Sequence, residues 1–349
     1  MIRRGRSVDP PVAFALAVTV VAGIMAAGAN GSVRASSPVT LVTATAHIDA
    51  FAQDQGEIAW AQDYTGICGS VFVETLATRK QHQLITENGA TCGLGNGVIQ
   101  EIAVAGGRAV WAAFYGSNET DDVSLLGGSL VGKSAGKDDI DLDDVSTIGG
   151  AASNGPGLGP VNLRGDGTTF VWADPPQIDP IAGTSPASVM RSVNGHVSHV
   201  PGLTSYAAGL LSLSGDMLAL APTKGAASVD LRSVTTGKLG RTITLAGAAT
   251  ALALSTGVLA VATGSTIVRF DPATGKKLGS TKAGGAVEGI AASGATVVFA
   301  TGKTIRMISA SGRLSTLTTA SAPPVGLSIE GTRVAWAEGK RIRALTVPG

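Results

Sequence analysis

A chain of 349 residues with 15% charged residues and a net charge of about +1 carries no basic field of the kind that holds nucleic acid, and none is expected as a partner. Its 48 glycines, with abundant Thr, Ser and Val and only 4% aromatic residues, suit many short strands joined by tight turns better than helices. Past the N-terminal segment, no stretch sustains the apolar spacing of an amphipathic helix.

From the N-terminus, MIRRGR brings three arginines, and Pro11 to Gly28 comes next as an uncharged apolar run ending in the small residues Ala27-Gly28-Ala29. This is the layout of a secretory signal. Residues 1–29 are expected to be removed on export and 30–38 to form a linker, leaving the protein secreted or in the cell envelope. The competing reading is a retained anchor, since 18 residues just reach the length that crosses a bilayer; only then would the protein meet a membrane. Two cysteines come after it, Cys68 and Cys92. In an exported chain they are expected to pair, which would stabilise the fold by about 3 kcal/mol; the alternative is two buried thiols.

Sliding the chain against itself shows a repeat. A short apolar strand that ends in a bulky residue followed by Ala recurs seven times: EIAWA, RAVWA, TFVWA, MLALA, VLAVA, TVVFA and RVAWA. The bulky positions are Trp60, Trp111, Trp172, Leu220, Val261, Phe299 and Trp336, spaced 51, 61, 48, 41, 38 and 37 residues apart. A Gly stands four or five residues before each, where a hairpin must turn. The fifth copy divides most cleanly into four strands, ATALALSTG, VLAVATG, STIVRFDPATGK and KLGSTKAGG.

Four strands in about 40 residues, repeated radially, predict an all-β, seven-bladed β-propeller of four-stranded antiparallel blades. The blades are expected at about 47–96, 97–158, 159–204, 205–247, 248–284, 285–322 and 323–349, within one domain spanning 39–349. The last copy has only three strands, while VTLVTATA (Val39 to Ala46) precedes the first copy without a slot in it. This N-terminal strand is predicted to complete the seventh blade and close the ring, leaving no end blade with an open edge. A monomer is expected.

The segment VRFDPATGKKLG, and more loosely LRSVTTGKLGR, resembles the repeat of the pyrroloquinoline-quinone-like propellers within the wider WD40-like propeller superfamily. The matching residues are Asp271, Thr274, Gly275 and Lys276, with Thr236, Gly237 and Lys238 in the second copy. The resemblance implies a propeller and a turn between the third and fourth strands. In cofactor-using members a Trp comes after that turn, where Leu278 and Leu239 stand here, and those members mostly have eight blades. No quinone is expected.

The stretch GGSLVGKSAGK (Gly127 to Lys137) matches three catalytic signatures at once: the phosphate loop GxxxxGK[ST], the nucleophile elbow GxSxG at Ser134, and SxxK through Lys137. The first two need a helix directly after the loop, and the third lacks its companion elements. The next residues are instead DDIDLDDVST, so the stretch reads as the turn between third and fourth strands of the second blade, continued by an acidic solvated loop. Asp139, Asp141 and Asp143 are hard ligands at alternate positions and make a candidate calcium site, although the Gly and Glu of an EF-hand loop are missing. No other cofactor is expected. Arg164-Gly165-Asp166 sits where the first hairpin of the third blade should turn, and His196 and His199, three apart on a strand, face opposite sides.

Two readings of function stand. One is an exported, non-catalytic scaffold that binds a protein, glycan or cell-wall ligand through its longest insertions, Asp63 to Ser70, Ser117 to Asp122, Gly132 to Pro160 and Asp174 to Ser188. The other is a propeller enzyme, a hydrolase, lyase or quinoprotein-like protein, with Asp49, Glu101 and Glu288 turned into the channel mouth. The residues lining the channel discriminate between them.

Overall fold

The computed structural model describes residues 35–62, 70–84, 98–116, 120–130, 140–148, 162–174, 177–179, 183–222 and 227–348. Strand β1 (Val39–Thr43) comes first. Blade 1 consists of β2 (Ile48–Asp54), β3 (Glu57–Gln62), β4 (Ser70–Thr75) and β5 (Lys80–Leu84); blade 2 of β6 (Val98–Ala105), β7 (Arg108–Gly116), β8 (Thr120–Ser129) and β9 (Ile140–Ile148). Blade 3 is built from β10 (Arg164–Asp166), β11 (Thr169–Asp174), β14 (Ser188–Val193) and β15 (His196–His199), with the hairpin β12 (Gln177–Asp179) and β13 (Gly183–Ser185) between its second and third strands. Blade 4 takes β16 (Leu210–Ser214) to β19 (Leu239–Thr244) through β17 (Met217–Ala221) and β18 (Ser228–Ser233). Blade 5 takes β20 (Ala251–Leu254), β21 (Leu259–Thr263), β22 (Thr266–Phe270) and β23 (Lys277–Lys282). Blade 6 continues with β24 (Gly289–Ser293), β25 (Thr296–Thr301), β26 (Thr304–Ile308) and β27 (Leu314–Thr319).

Blade 7 has the order β1-β30-β29-β28, with β28 (Val325–Glu330), β29 (Arg333–Glu338) and β30 (Arg341–Thr346). The N-terminal strand therefore supplies the rim strand that the last copy lacks. Its register runs from Val39 opposite Ala344 to Thr43 opposite Arg341, with an irregularity between Thr40 and Val42. Side chains reinforce the seam: Arg343 donates to the Pro38 carbonyl at 3.0 Å, Lys340 to that of Thr45 at 2.8 Å, and Arg79 of blade 1 to that of Leu41. The first strands are neighbours all the way round, with β2 against both β6 and β28, so the ring is closed.

The repeated bulky-then-Ala motif has a packing explanation. Successive residues on a strand point to opposite faces of the sheet, and each face of a blade meets a different neighbour. Trp111 of blade 2 is buried in the cluster that also holds Ala61 of blade 1, and Trp172 of blade 3 in the one that holds Ala112 of blade 2. Leu220, Val261 and Phe299 continue the series against Ala173, Ala221 and Ala262. Trp60 of blade 1 closes it against Ala337 of blade 7. Six seams are thus filled by one large side chain from the following blade where the preceding blade offers a small one; at the seventh, Trp336 of blade 7 is clustered with Val298 of blade 6. The core is a set of such seams rather than a single central cluster, because the axis is occupied by a channel.

Local chemistry sets the turns. At the first hairpin, Gln55 and Gly56 both have positive φ (48° and 79°), as a type I′ turn requires. Gly257 is different: its φ is not positive, and the reason for glycine there is space, since a Cβ would lie 2.8 Å from the carbonyl of Gly294 in the next blade. In the turn after β22, the Asp271 carboxylate accepts the N–H groups of Ala273 and Thr274, each at 2.9 Å, which holds its pKa below the usual carboxylate range.

Two expectations are corrected. The acidic stretch after GGSLVGKSAGK is a strand, β9, paired with β8 through Asp141 opposite Leu126 and Asp143 opposite Leu125. Aspartate is a poor strand former, but the ladder with β8 supplies the hydrogen bonds that override local preference. Arg164-Gly165-Asp166 is the strand β10, and the turn falls one step later at Gly167 and Thr168. Of GGSLVGKSAGK itself, Gly127 to Ser129 end β8, whereas residues 131–137, with Ser134 and both lysines, lie outside the described residues. The chain re-enters the same sheet at Ile140 as the adjacent antiparallel strand, where a phosphate loop or nucleophile elbow would need a helix.

Candidate functional site

The seven first strands surround a channel of about 500 Å³. Their register explains its character. In five blades the residue paired with the bulky motif position is apolar: Phe51 opposite Trp60, Ile102 opposite Trp111, Leu211 opposite Leu220, Leu252 opposite Val261 and Ile290 opposite Phe299. The neighbouring wall position is small in six blades: Ala52, Ala103, Ser212, Ala253, Ala291 and Ser328. In blade 3 the equivalent residue, opposite Val171, is Arg164. Among the described lining residues, Arg164 and Glu288 are the charged ones.

The neutral polar side chains on this wall are occupied by the fold. Ser212 Oγ accepts the Leu254 N–H at 2.9 Å, Thr250 donates to the Ala262 carbonyl at 3.3 Å, and Ser328 donates to the Ala335 carbonyl at 3.3 Å. Gln53 Oε1 accepts from Arg333 Nε at 3.0 Å.

The structure does not bring the three candidate acids together. Asp49 stands in β2 beside His47, Oδ1 to Nδ1 3.1 Å, and does not line the channel. Glu101 in β6 accepts the backbone N–H groups of Asn162 at 3.1 Å and Leu163 at 2.7 Å, with Arg164 Nη1 at 3.9 Å, so it clamps blade 2 to blade 3. Glu288, just before β24, lines the channel, and its carboxylate has no ion pair or hydrogen bond among the described residues.

Sequence reasoning missed a set of groups at the other end of the channel, where the first strands finish. There, at four seams, the side chain at or just past the end of one blade's first strand bonds the hairpin of the next. Glu330 accepts the Gly56 N–H at 3.1 and 3.3 Å, Asp166 accepts that of Gly215, and Ser293 accepts that of Gly331 at 3.1 Å. Ser255 donates to the Gly294 carbonyl. The signal was available: aligned on the motif, this column reads Asp54, Ala105, Asp166, Ser214, Ser255, Ser293 and Glu330, with side chains able to hydrogen-bond in six copies of seven.

Asp54 occupies the same position without a partner in the next blade among the described residues, and its Oδ2 is buried and unpaired. Burial, then the carboxylates of Asp166, Glu330 and Glu57, push its pKa from 3.8 to about 7. Burial also raises Glu57.

Cys68, Cys92 and Asp139 lie outside the described residues; Asp141 and Asp143 are placed on β9 by their backbone. His196 and His199 are both exposed on β15. Among the described residues, no three His, Cys, Asp or Glu side chains are grouped to hold a metal, and no helix is long and apolar enough to cross a membrane.

No family model and no curated protein matches the chain. Solved structures do. A chain of the mitotic checkpoint complex aligns with a TM-score of 0.54 at 13% identity, covering 98% of this chain and 99% of that one. BamB from Moraxella catarrhalis aligns at 0.51 and 13%, covering 86% and 85%. A catalytically inactive virginiamycin B lyase from Staphylococcus aureus, solved with quinupristin, aligns at 0.50 and 12%, covering 89% and 99%. At such identities the likeness shows the β-propeller fold alone.

Proposed function

We propose that this protein is an exported, non-catalytic β-propeller that binds a protein, glycan or cell-wall component through the face on which its first strands begin. The observation that carries this reading is an asymmetry of connections. In blades 5, 6 and 7 the second and third strands are joined by two residues, at 264–265, 302–303 and 339–340. In blades 1 and 3 the same connection takes 63–69 and 175–187, and the links into blades 2 and 3 take 85–97 and 149–163. All of these flanking strand ends lie on one face, because the strands alternate in direction. Long connections on a rigid scaffold are where binding commonly resides. Export rests on the N-terminal basic and apolar run.

Binding is favoured over catalysis because Asp49, Glu101 and Glu288 are separate and the neutral polar groups of the channel wall are already bonded within the fold. The test is site-specific photo-crosslinking in the native cell envelope. A crosslinker at Asn118, Ser153 or Ala187 should capture one common partner, and one at Thr236 or Ser311, in turns on the opposite face, should not. Capture only from the latter positions, or from none, would refute the assignment.

A further inference from the structure

The channel wall departs from its own repeat at one point. Six blades place Ala or Ser opposite the residue before the bulky motif position, and blade 3 places Arg164 there. Closing the ring does not require this Arg, since the other blades close without one. Its partners are few: Nη1 donates to the Leu163 carbonyl at 2.7 Å and stands 3.9 Å from Glu101, whose oxygens already accept two backbone N–H groups. Its side chain keeps 43% of its exposure. The remaining donors of a guanidinium fork are free to meet a carboxylate.

On blade 6, across the ring from blade 3, Glu288 lines the same channel with a carboxylate that is unpaired among the described residues. The rest of the described wall is uncharged, with Ile290, Leu327 and several Ala supplying apolar surface. The seven first strands are inner edge strands, so their outward backbone N–H and C=O groups lack a ladder partner on the channel side. The channel's 500 Å³ falls within the range of small-molecule sites, about 300–1,000 Å³.

We infer that the central channel binds a short apolar zwitterion, a peptide of about three residues, with its carboxylate on Arg164 and its ammonium group toward Glu288. Opposite charges at the two ends fix the direction of the peptide. Apolar wall accepts its side chains, and edge-strand backbone accepts its amides. This site is independent of a partner on the loop face: either can be present without the other.

The experiment is calorimetric titration of the full chain with trileucine, N-acetyl-trileucine and trileucine amide. Free trileucine should bind about tenfold or more tightly than either blocked form, the usual effect of removing one charged hydrogen bond. Arg164→Gln should abolish the preference over the amide and keep that over the acetylated peptide; Glu288→Gln should do the reverse. The blocked peptides test the idea on unaltered protein, should a variant fold poorly. Absence of heat with trileucine at millimolar concentration, or equal affinity for all three peptides, would overturn it, as would variants that leave both preferences intact.

Discussion

Replacing Asp54 with Asn should stabilise the protein above neutral pH. Asp54 ends the first strand of blade 1 with a buried, unpaired Oδ2, and the carboxylates of Asp166, Glu330 and Glu57 oppose its charge. A rise from 3.8 to about 7 would be worth at most about 4 kcal/mol at 1.36 kcal/mol per pKa unit. The side chain is only partly buried, so solvent screening reduces this to about 1–2 kcal/mol. The sign comes from proton counting. Between pH 4 and 7 the folded state keeps a proton that the unfolded chain has released, so stability falls as pH rises through that window and is level above it. Asn cannot ionise, so its curve lacks this fall. Differential scanning calorimetry of both proteins from pH 4 to 8.5 should show melting temperatures that agree near pH 4 and diverge by roughly 2–5 °C at pH 8 in favour of Asp54→Asn. A variant equal to or below the wild type at pH 8 would refute the picture of an uncompensated carboxylate at this seam.

Deleting residues 39–46 removes β1 with buried Val42 and Ala44 and leaves β30 as an open edge; a loss of about 3–5 kcal/mol should lower the melting temperature by roughly 5–10 °C, and an unchanged melting curve would count against strand closure. Gly237→Ala should cost about 3 kcal/mol or more in a denaturant titration, because φ is +69° and the new Cβ would stand 1.6 Å from the Pro201 carbonyl oxygen; Gly264→Ala, with φ +58° and open space around it, should cost only about 1 kcal/mol. Cys68 and Cys92 are proposed to be disulfide-bonded in protein recovered from outside the cytoplasm, so alkylation without reductant should leave both unlabelled by mass spectrometry.

The blade count was legible because the seams write themselves into one repeated strand: a bulky residue for the preceding neighbour and, at six seams, Ala for the following one, as with Trp111 and Ala112 in clusters on opposite faces of blade 2. That pattern depends on strand alternation alone and survives changes in loop length. The polar seam contacts were harder to see because both partners must be known. Glu101 looks like a channel acid until the N–H groups that it accepts are found 61 and 62 positions away, and Asp166 looks like part of a turn until Gly215 of the next blade meets it. The acidic strand β9 is hard to read for a related reason: its aspartates argue for a loop locally, whereas its pairing with β8 is decided by the sheet.

Arg164 shows how the same repeat can expose a functional candidate. Within its own tripeptide it suggests a turn, and that reading does not explain why Arg should stand on a channel wall. Aligned with Ala52, Ala103, Ser212, Ala253, Ala291 and Ser328, it is the residue at which the packing rule is broken. A guanidinium that stays 43% exposed on a wall otherwise uncharged but for Glu288 among the described residues returns little to the fold when its nearest carboxylate is 3.9 Å away and already bonded elsewhere. A departure from internal symmetry that the fold does not need is the kind of position where a ligand supplies the missing partner, and it is Arg164, rather than any of the acids picked out by residue type, that the repeat isolates.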